Sequence, residues 1–165
     1  MTIDDRDSAS PGIETVVVNG LELANELREA MSKQVSEIVA NGGRPPCLAV
    51  VLVGDDPASR SYIKGKQRAC GRTGMESREH LLAGNTSEAE LLALISELNA
   101  DPGVDGILVQ LPLPDAIDSN RIAEAILPEK DVDALHPITA GVLGLDDDQQ
   151  ALVTWPAVDI VAAGQ

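Results

Sequence analysis

The sequence predicts an α/β fold, a three-layer sandwich with a mainly parallel sheet flanked by helices. Apolar runs of strand length alternate with segments whose apolar residues recur at helical spacing, the pattern of strands joined by right-handed helical crossovers. One run, Cys47-Leu48-Ala49-Val50-Val51-Leu52-Val53, is apolar on both faces, as a central strand covered on two sides must be. Clusters of Gly, Pro and Asn separate these runs. At 165 residues the chain fits one domain with its own core. That core is aliphatic, because Phe is absent and the only aromatics are Tyr62 and Trp155.

In chain order, residues 1–13 read as a mobile acidic leader. The short apolar stretch Val16-Val17-Val18 turns at Asn19-Gly20. Leu23, Leu27, Met31, Val35 and Ile38 then fall at helical spacing, and Asn41-Gly42-Gly43 supplies the stop. Pro45-Pro46 leads into the apolar strand, which ends in the turn Gly54-Asp55-Asp56-Pro57-Ala58-Ser59. A helix from about Ser59 to Arg72 follows, closed by Gly74, and Glu76–Leu82 reads as a second strand. Asn85-Thr86-Ser87-Glu88 offers caps for a helix over Glu88–Asn99, with Leu91, Leu92, Leu94, Ile95 and Leu98 turned inward. Asp101-Pro102-Gly103 breaks it before the third buried strand, Gly106–Gln110. Leu111-Pro112-Leu113-Pro114 makes a stiff extended exit, since two prolines fix the backbone and delete two N–H donors. A short helix near Ser119–Ile126 and an acidic loop over Pro128–Asp133 complete the pattern.

Charge narrows the partners. Twelve Lys+Arg against twenty-seven Asp+Glu leave a formal charge of −15, which argues against nucleic acid or an anionic membrane surface. Cys47 and Cys70 lack CxxC spacing and clustered His, so the sequence predicts neither a metal site nor a disulfide. No apolar run reaches membrane-spanning length and the first residues are acidic, from which a cytoplasmic location is expected.

In a parallel α/β sheet, ligands collect outside the carboxyl ends of the strands. Two such ends carry chemistry here: Val53-Gly54-Asp55-Asp56-Pro57 and Val109-Gln110-Leu111-Pro112. The helix after the first carries Tyr62 and Lys66, four apart and therefore on one face. A partly desolvated lysine at that place can serve as general acid or base. The same pair also fits a half-buried ring beside a solvated amine. Gln110, ending an apolar run, is a polar side chain in need of a partner. Asp131 and Asp133 read as loop carboxylates, His136 before Pro137 as structural, and His80 as facing solvent.

Three ordered segments carry a resemblance. They are Val53-Gly54-Asp55-Asp56-Pro57-Ala58-Ser59 with Ser61-Tyr62-Ile63-Lys64-Gly65-Lys66; Asp105-Gly106-Ile107-Leu108-Val109-Gln110-Leu111-Pro112-Leu113-Pro114; and Pro128-Glu129-Lys130-Asp131-Val132-Asp133 followed by His136-Pro137 and Gly141. In this order the chain resembles the first lobe of the bifunctional methylenetetrahydrofolate dehydrogenase/cyclohydrolase family, over roughly residues 16–145. The resemblance implies a folate site in residues 14–150, with 151–165 a remnant of the connection to an absent NAD(P) domain. It implies that Lys66 is the catalytic acid/base and that Gln110 bonds to it and tunes its protonation. Tyr62 would stack on the folate rings and Asp133 would accept from the pterin edge, with Leu111 and Pro112 completing the substrate-binding set. The expected ligand is a tetrahydrofolate derivative, as substrate or one-carbon donor, without NAD(P) and without metal.

The chain also departs from the family pattern. Ala134 stands where Gly is usual after Asp-Val-Asp, Thr139 where Asn is usual, and Trp155 where a small hydroxyl residue is usual. No G-x-G-x-x-G run is present. The implied function is a stand-alone one-carbon enzyme acting on 5,10-methenyl- or 5,10-methylenetetrahydrofolate. It would either hydrolyse its substrate or transfer the methylene to a second, small nucleophilic substrate. The alternatives are a folate-binding module without turnover and a fragment of a full dehydrogenase/cyclohydrolase. A homodimer is expected, burying apolar surface that the missing lobe leaves uncovered.

Overall fold

A computed structural model of the protein describes residues 19–143. The leader, Val16–Val18, Trp155 and the 151–165 segment lie outside the described residues. Helix α1 spans Gly20–Ala40, β1 Cys47–Val53, α2 Pro57–Thr73, β2 Glu76–Leu82, α3 Glu88–Ala100, β3 Gly106–Val109, α4 Ser119–Ala125 and α5 Pro137–Leu143, with a 3-10 turn at Pro128–Lys130. The sheet runs β2-β1-β3 and both pairings are parallel. The all-apolar strand is therefore the central one, as its two-sided hydrophobicity requires.

Alternation along β1 divides the core in two. Ala49, Val51 and Val53 pack with Ile107 and Val109 of β3 against Leu91, Ile95 and Leu98 of α3 and Ile122 of α4. Val50 and Leu52 face the other way and meet Ile63 of α2 and Leu108 of β3. Helices on both faces of a parallel sheet make the predicted three-layer α/β sandwich.

Helix ends follow their chemistry. Asp56 caps α2, its carboxylate accepting from Ser59 N at 2.7 Å, with Pro57 in the first turn, so the helix starts before the expected Ser59. Ser87 and Glu90 form a reciprocal capping box on α3, and Asp118 caps α4. Gly74 ends α2 in the left-handed region at φ 82°, which a side chain would resist.

The helical spacing read on α1 holds, and among the described residues only Val35 is buried there, with Leu23, Leu27 and Met31 47%, 56% and 42% exposed. Two expectations need correction, those for His80 and for the 128–133 span. His80 does not face solvent. It pairs beside Val51 in the sheet and is half-buried, and its Nε2 is buried without a hydrogen-bond partner among the described residues. The span 128–133 is not a plain loop but a 3-10 turn followed by a parallel bridge from Asp131 to Ile107 at the free edge of β3. Helix α5 was not foreseen. Its signals were His136, whose Nδ1 accepts from Ile138 N at 3.1 Å, and Pro137 at the first helical position.

Candidate active site

The site grows from the carboxyl ends of β1 and β3. Beyond Val109, Gln110 N still donates to Val51 O at 2.8 Å, so the sheet fixes the Gln110 backbone although the strand itself has ended. The Gln110 side chain is held at both ends. Its Nε2 donates to Leu111 O at 2.8 Å, and its Oε1 accepts from Lys66 Nζ at 3.4 Å. Occupying the amide nitrogen with a carbonyl turns the oxygen toward the ammonium. The two residues, forty-four apart in sequence, meet because α2 crosses the sheet face that leads to β3.

Lys66 is half-buried, whereas Tyr62, one turn earlier on α2, is 67% exposed and lines a shallow groove with Ser61, Gly65, Lys66 and Ala69. A flat aromatic face open to solvent beside an amine can stack on a planar ligand. Leu111 and Pro112 are exposed on the turn after β3, joined by a cis peptide bond.

Asp133 lies on the far side of β3. It is exposed and lines a second, narrow cleft with Asp131, Leu135, Leu111, Val109 and Ile122. Val132 reaches this strand because Gly106 has no side chain: a Cβ there would stand 2.5 Å from Val132 Cγ1. The structure thus brings Lys66, Gln110 and Leu111 into one contact chain, and Leu111 joins Asp133 in the second cleft. No hydrogen bond or ion pair joins Asp133 to Lys66 among the described residues.

The neighbouring residues have local roles. Asp131 Oδ2 accepts from His136 N at 2.9 Å and from the Thr139 hydroxyl, folding 131–139 into a compact turn. Asp131 and His136 are therefore committed to structure. Ala134 sits at φ 54°, in the left-handed region. Sequence reasoning passed over Asn99 and Lys130. The side chain of Asn99 donates to Ala125 O at 2.8 Å and accepts from Leu127 N at 3.1 Å, and Lys130 Nζ donates to Leu98 O and Asp101 O at 2.9 and 2.7 Å. Burial lowers the pKa of the Lys130 ammonium, opposed by the nearby carboxylates of Asp101 and Asp105. Asn99, inside a helical pattern, gives no sequence signal for this. Cys47 and Cys70 are buried free thiols whose pKa burial raises. No group of three or more His, Cys, Asp or Glu is placed to hold a metal among the described residues. No described helix is long and apolar enough to cross a membrane.

The fold and these strand-end residues define a parallel α/β domain with an amine, an amide and an aromatic ring at the carboxyl edge of its sheet. The family model for the tetrahydrofolate dehydrogenase/cyclohydrolase catalytic domain matches residues 18–133, and the chain belongs to that family. Among curated relatives it is 54% identical over 125 residues to the Bifunctional protein FolD of Geobacillus thermodenitrificans (76% of this chain, 44% of the relative). To the protein of the same name from Rhodopseudomonas palustris strain HaA2 it is 51% identical over 127 residues (77% and 43%). Among solved structures it resembles the bifunctional methylenetetrahydrofolate dehydrogenase/cyclohydrolase of Campylobacter jejuni, with a TM-score of 0.72 and 45% identity (76% of this chain, 45% of that one). The FolD of Trypanosoma brucei, complexed with NADP and an inhibitor, gives a TM-score of 0.73 at 30% identity (78% and 43%). The chain spans less than half the length of these relatives.

Proposed function

We propose that this chain is a tetrahydrofolate-dependent one-carbon enzyme that acts, without NAD(P), on 5,10-methenyl- or 5,10-methylenetetrahydrofolate, with Lys66 as general acid/base. The observation that carries this reading is the contact of Lys66 with a Gln110 side chain whose orientation Leu111 O fixes. The three described strand-to-helix turns do not suit a dinucleotide pyrophosphate. The first presents Asp55 and Asp56 before a proline that lacks an N–H, the second spends its cap on Glu90, and the third is Leu111-Pro112-Leu113-Pro114. None of these three turns is read as a site for a nicotinamide nucleotide.

In the hydrolytic form, water adds to the bridging amidinium carbon of the methenyl substrate while neutral Lys66 takes a proton from it. The adduct's hydroxyl then loses its proton to solvent as its C–N5 bond breaks, the Lys66 ammonium returns its proton to N5, and the formyl group stays on N10, so one proton is released overall. Gln110 Oε1 accepts from Lys66 and steadies the charged form it passes through. Tyr62 stacks on the ring system, Asp133 accepts from the pterin's amino and ring N–H edge, and Leu111 and Pro112 wall the ligand. The same acid could instead open a methylene bridge for transfer to a second small nucleophile.

The test is to follow loss of the methenyl chromophore spectroscopically. Lys66→Met is expected to slow turnover about 10²–10⁴-fold with tetrahydrofolate affinity within a few-fold of wild type. Full activity in Lys66→Met with folate bound would sink the assignment. Binding without turnover in the wild-type chain would make it a folate-binding module instead.

A further inference from the structure

We propose that Asn99 and Lys130 are positioning residues that clamp the Asp131–Asp133 segment onto the carboxyl end of α3 and so aim the Asp133 carboxylate. For its ligand this rests on the folate reading above. Helix α3 is the firm side of the clamp, since Leu91, Ile95 and Leu98 are buried in the main core. Lys130 donates its ammonium to two carbonyls at this helix end. They are Leu98 O in the last turn, which Asp101 N also reaches at 3.3 Å, and Asp101 O of the C-cap, which also accepts from Val104 N at 3.2 Å. The negative end of the helix dipole favours a cation at this place.

Asn99, one residue beyond Leu98, grips the same incoming segment upstream. Its amide nitrogen satisfies the last carbonyl of α4, at Ala125, and its amide oxygen takes Leu127 N. The chain from Ala125 to Lys130 is thus tied to α3 by four side-chain hydrogen bonds, two from each residue. On leaving Lys130 it pairs Asp131 with Ile107, lays Val132 over Gly106, and is fixed again where Asp131 accepts from His136 N and Thr139.

Asp133 lies between these anchors. Its side chain is exposed and makes no hydrogen bond among the described residues. No described residue holds the carboxylate directly, so its direction is set by the backbone on either side. Losing the α3 anchor leaves the bridge and the Asp131 turn to hold the segment alone. A recognition group then samples a wider arc and binds more weakly, because ordering it is deferred to binding.

The experiment uses the full chain and two readouts. The first is hydrogen exchange of peptides covering 131–136 without ligand. The second is calorimetric titration with tetrahydrofolate, alongside steady-state kinetics. Lys130→Met is expected to speed exchange across 131–136 and to weaken tetrahydrofolate binding at least tenfold. KM should rise with kcat little changed at saturation, and Lys130→Arg should recover most of the loss. Arg121→Ala, which breaks the ion pair with Glu88 at the opposite end of α3, controls for general destabilisation and should change neither readout. If Lys130→Met fails to fold, Asn99→Ala is read the same way. Unchanged exchange at 131–136 would overturn the clamp whatever the ligand. Faster exchange with unchanged affinity would overturn its role in aiming Asp133. A wild-type chain that does not bind tetrahydrofolate would refute the folate reading and the aim assigned to Asp133, while the exchange readout still decides the clamp.

Discussion

Replacing Ala134 by Gly should stabilise the protein, and the backbone gives the size of the effect. Ala134 has φ 54°, in the left-handed region, where Cβ crowds the following carbonyl at a cost of roughly 1–2 kcal/mol for an ordinary L-residue. Glycine removes that strain but loses more freedom on folding, which returns about 0.5–1 kcal/mol. The balance is a gain of about 0.5–1 kcal/mol, which is about 1–4 °C in Tm for a chain of this size. Urea and thermal unfolding of Ala134→Gly against wild type measure it. Ala134→Val, which adds a β-branch at the same φ, should lose stability and serves as the opposite control. A lower Tm in Ala134→Gly would refute the reasoning, since it would mean that no strain is stored at this position. The site gives the residue added interest, because Ala134 directly follows Asp133 and precedes Leu135, both of which line the second cleft.

The other expectations are briefer. Tyr62→Ala should weaken folate binding by roughly 0.5–1.5 kcal/mol from lost stacking, with turnover partly restored at saturating ligand; unchanged affinity would remove Tyr62 from the site. Stability should fall in acid, because hydrogen bonds from the backbone N–H of Ser59, Ser87 and Gly103 hold the carboxyls of Asp56, Glu90 and Asp101 below their usual pKa. Their contribution is complete above the ordinary carboxylate range near about 4 and is lost as pH drops through the depressed folded values. A urea midpoint constant from neutral into strongly acidic solution would contradict it. A homodimer burying apolar surface that the missing lobe leaves uncovered is the expected assembly, and sedimentation as a monomer at micromolar concentration would count against it.

The strands and most helices were legible because local rules and tertiary packing agree in them. Cys47–Val53 could only be a central strand, and Ser87 with Glu90 could only start a helix. Tyr62, Lys66 and Gln110 were legible as candidates because helical spacing and a polar residue at the end of an apolar run are local signals. The α1 spacing marked a helix and its apolar ridge without saying what covers that ridge. His80 was misread as facing solvent. Its burial depends on its neighbour across the sheet, Val51, twenty-nine positions away in sequence.

By itself the sequence determined the α/β class, the order of its elements from α1 to α4, and the strand ends at which chemistry could gather, because periodicity, capping and turn residues act over a few positions. Only the tertiary structure decided that Lys66 meets Gln110, that the 128–133 segment bridges to β3 beside a bare Gly106, and that Asn99 and Lys130 hold it to α3. Those contacts join residues about twenty-five to forty-five positions apart. Their geometry follows from how helices seat on a twisted parallel sheet, which no local pattern encodes.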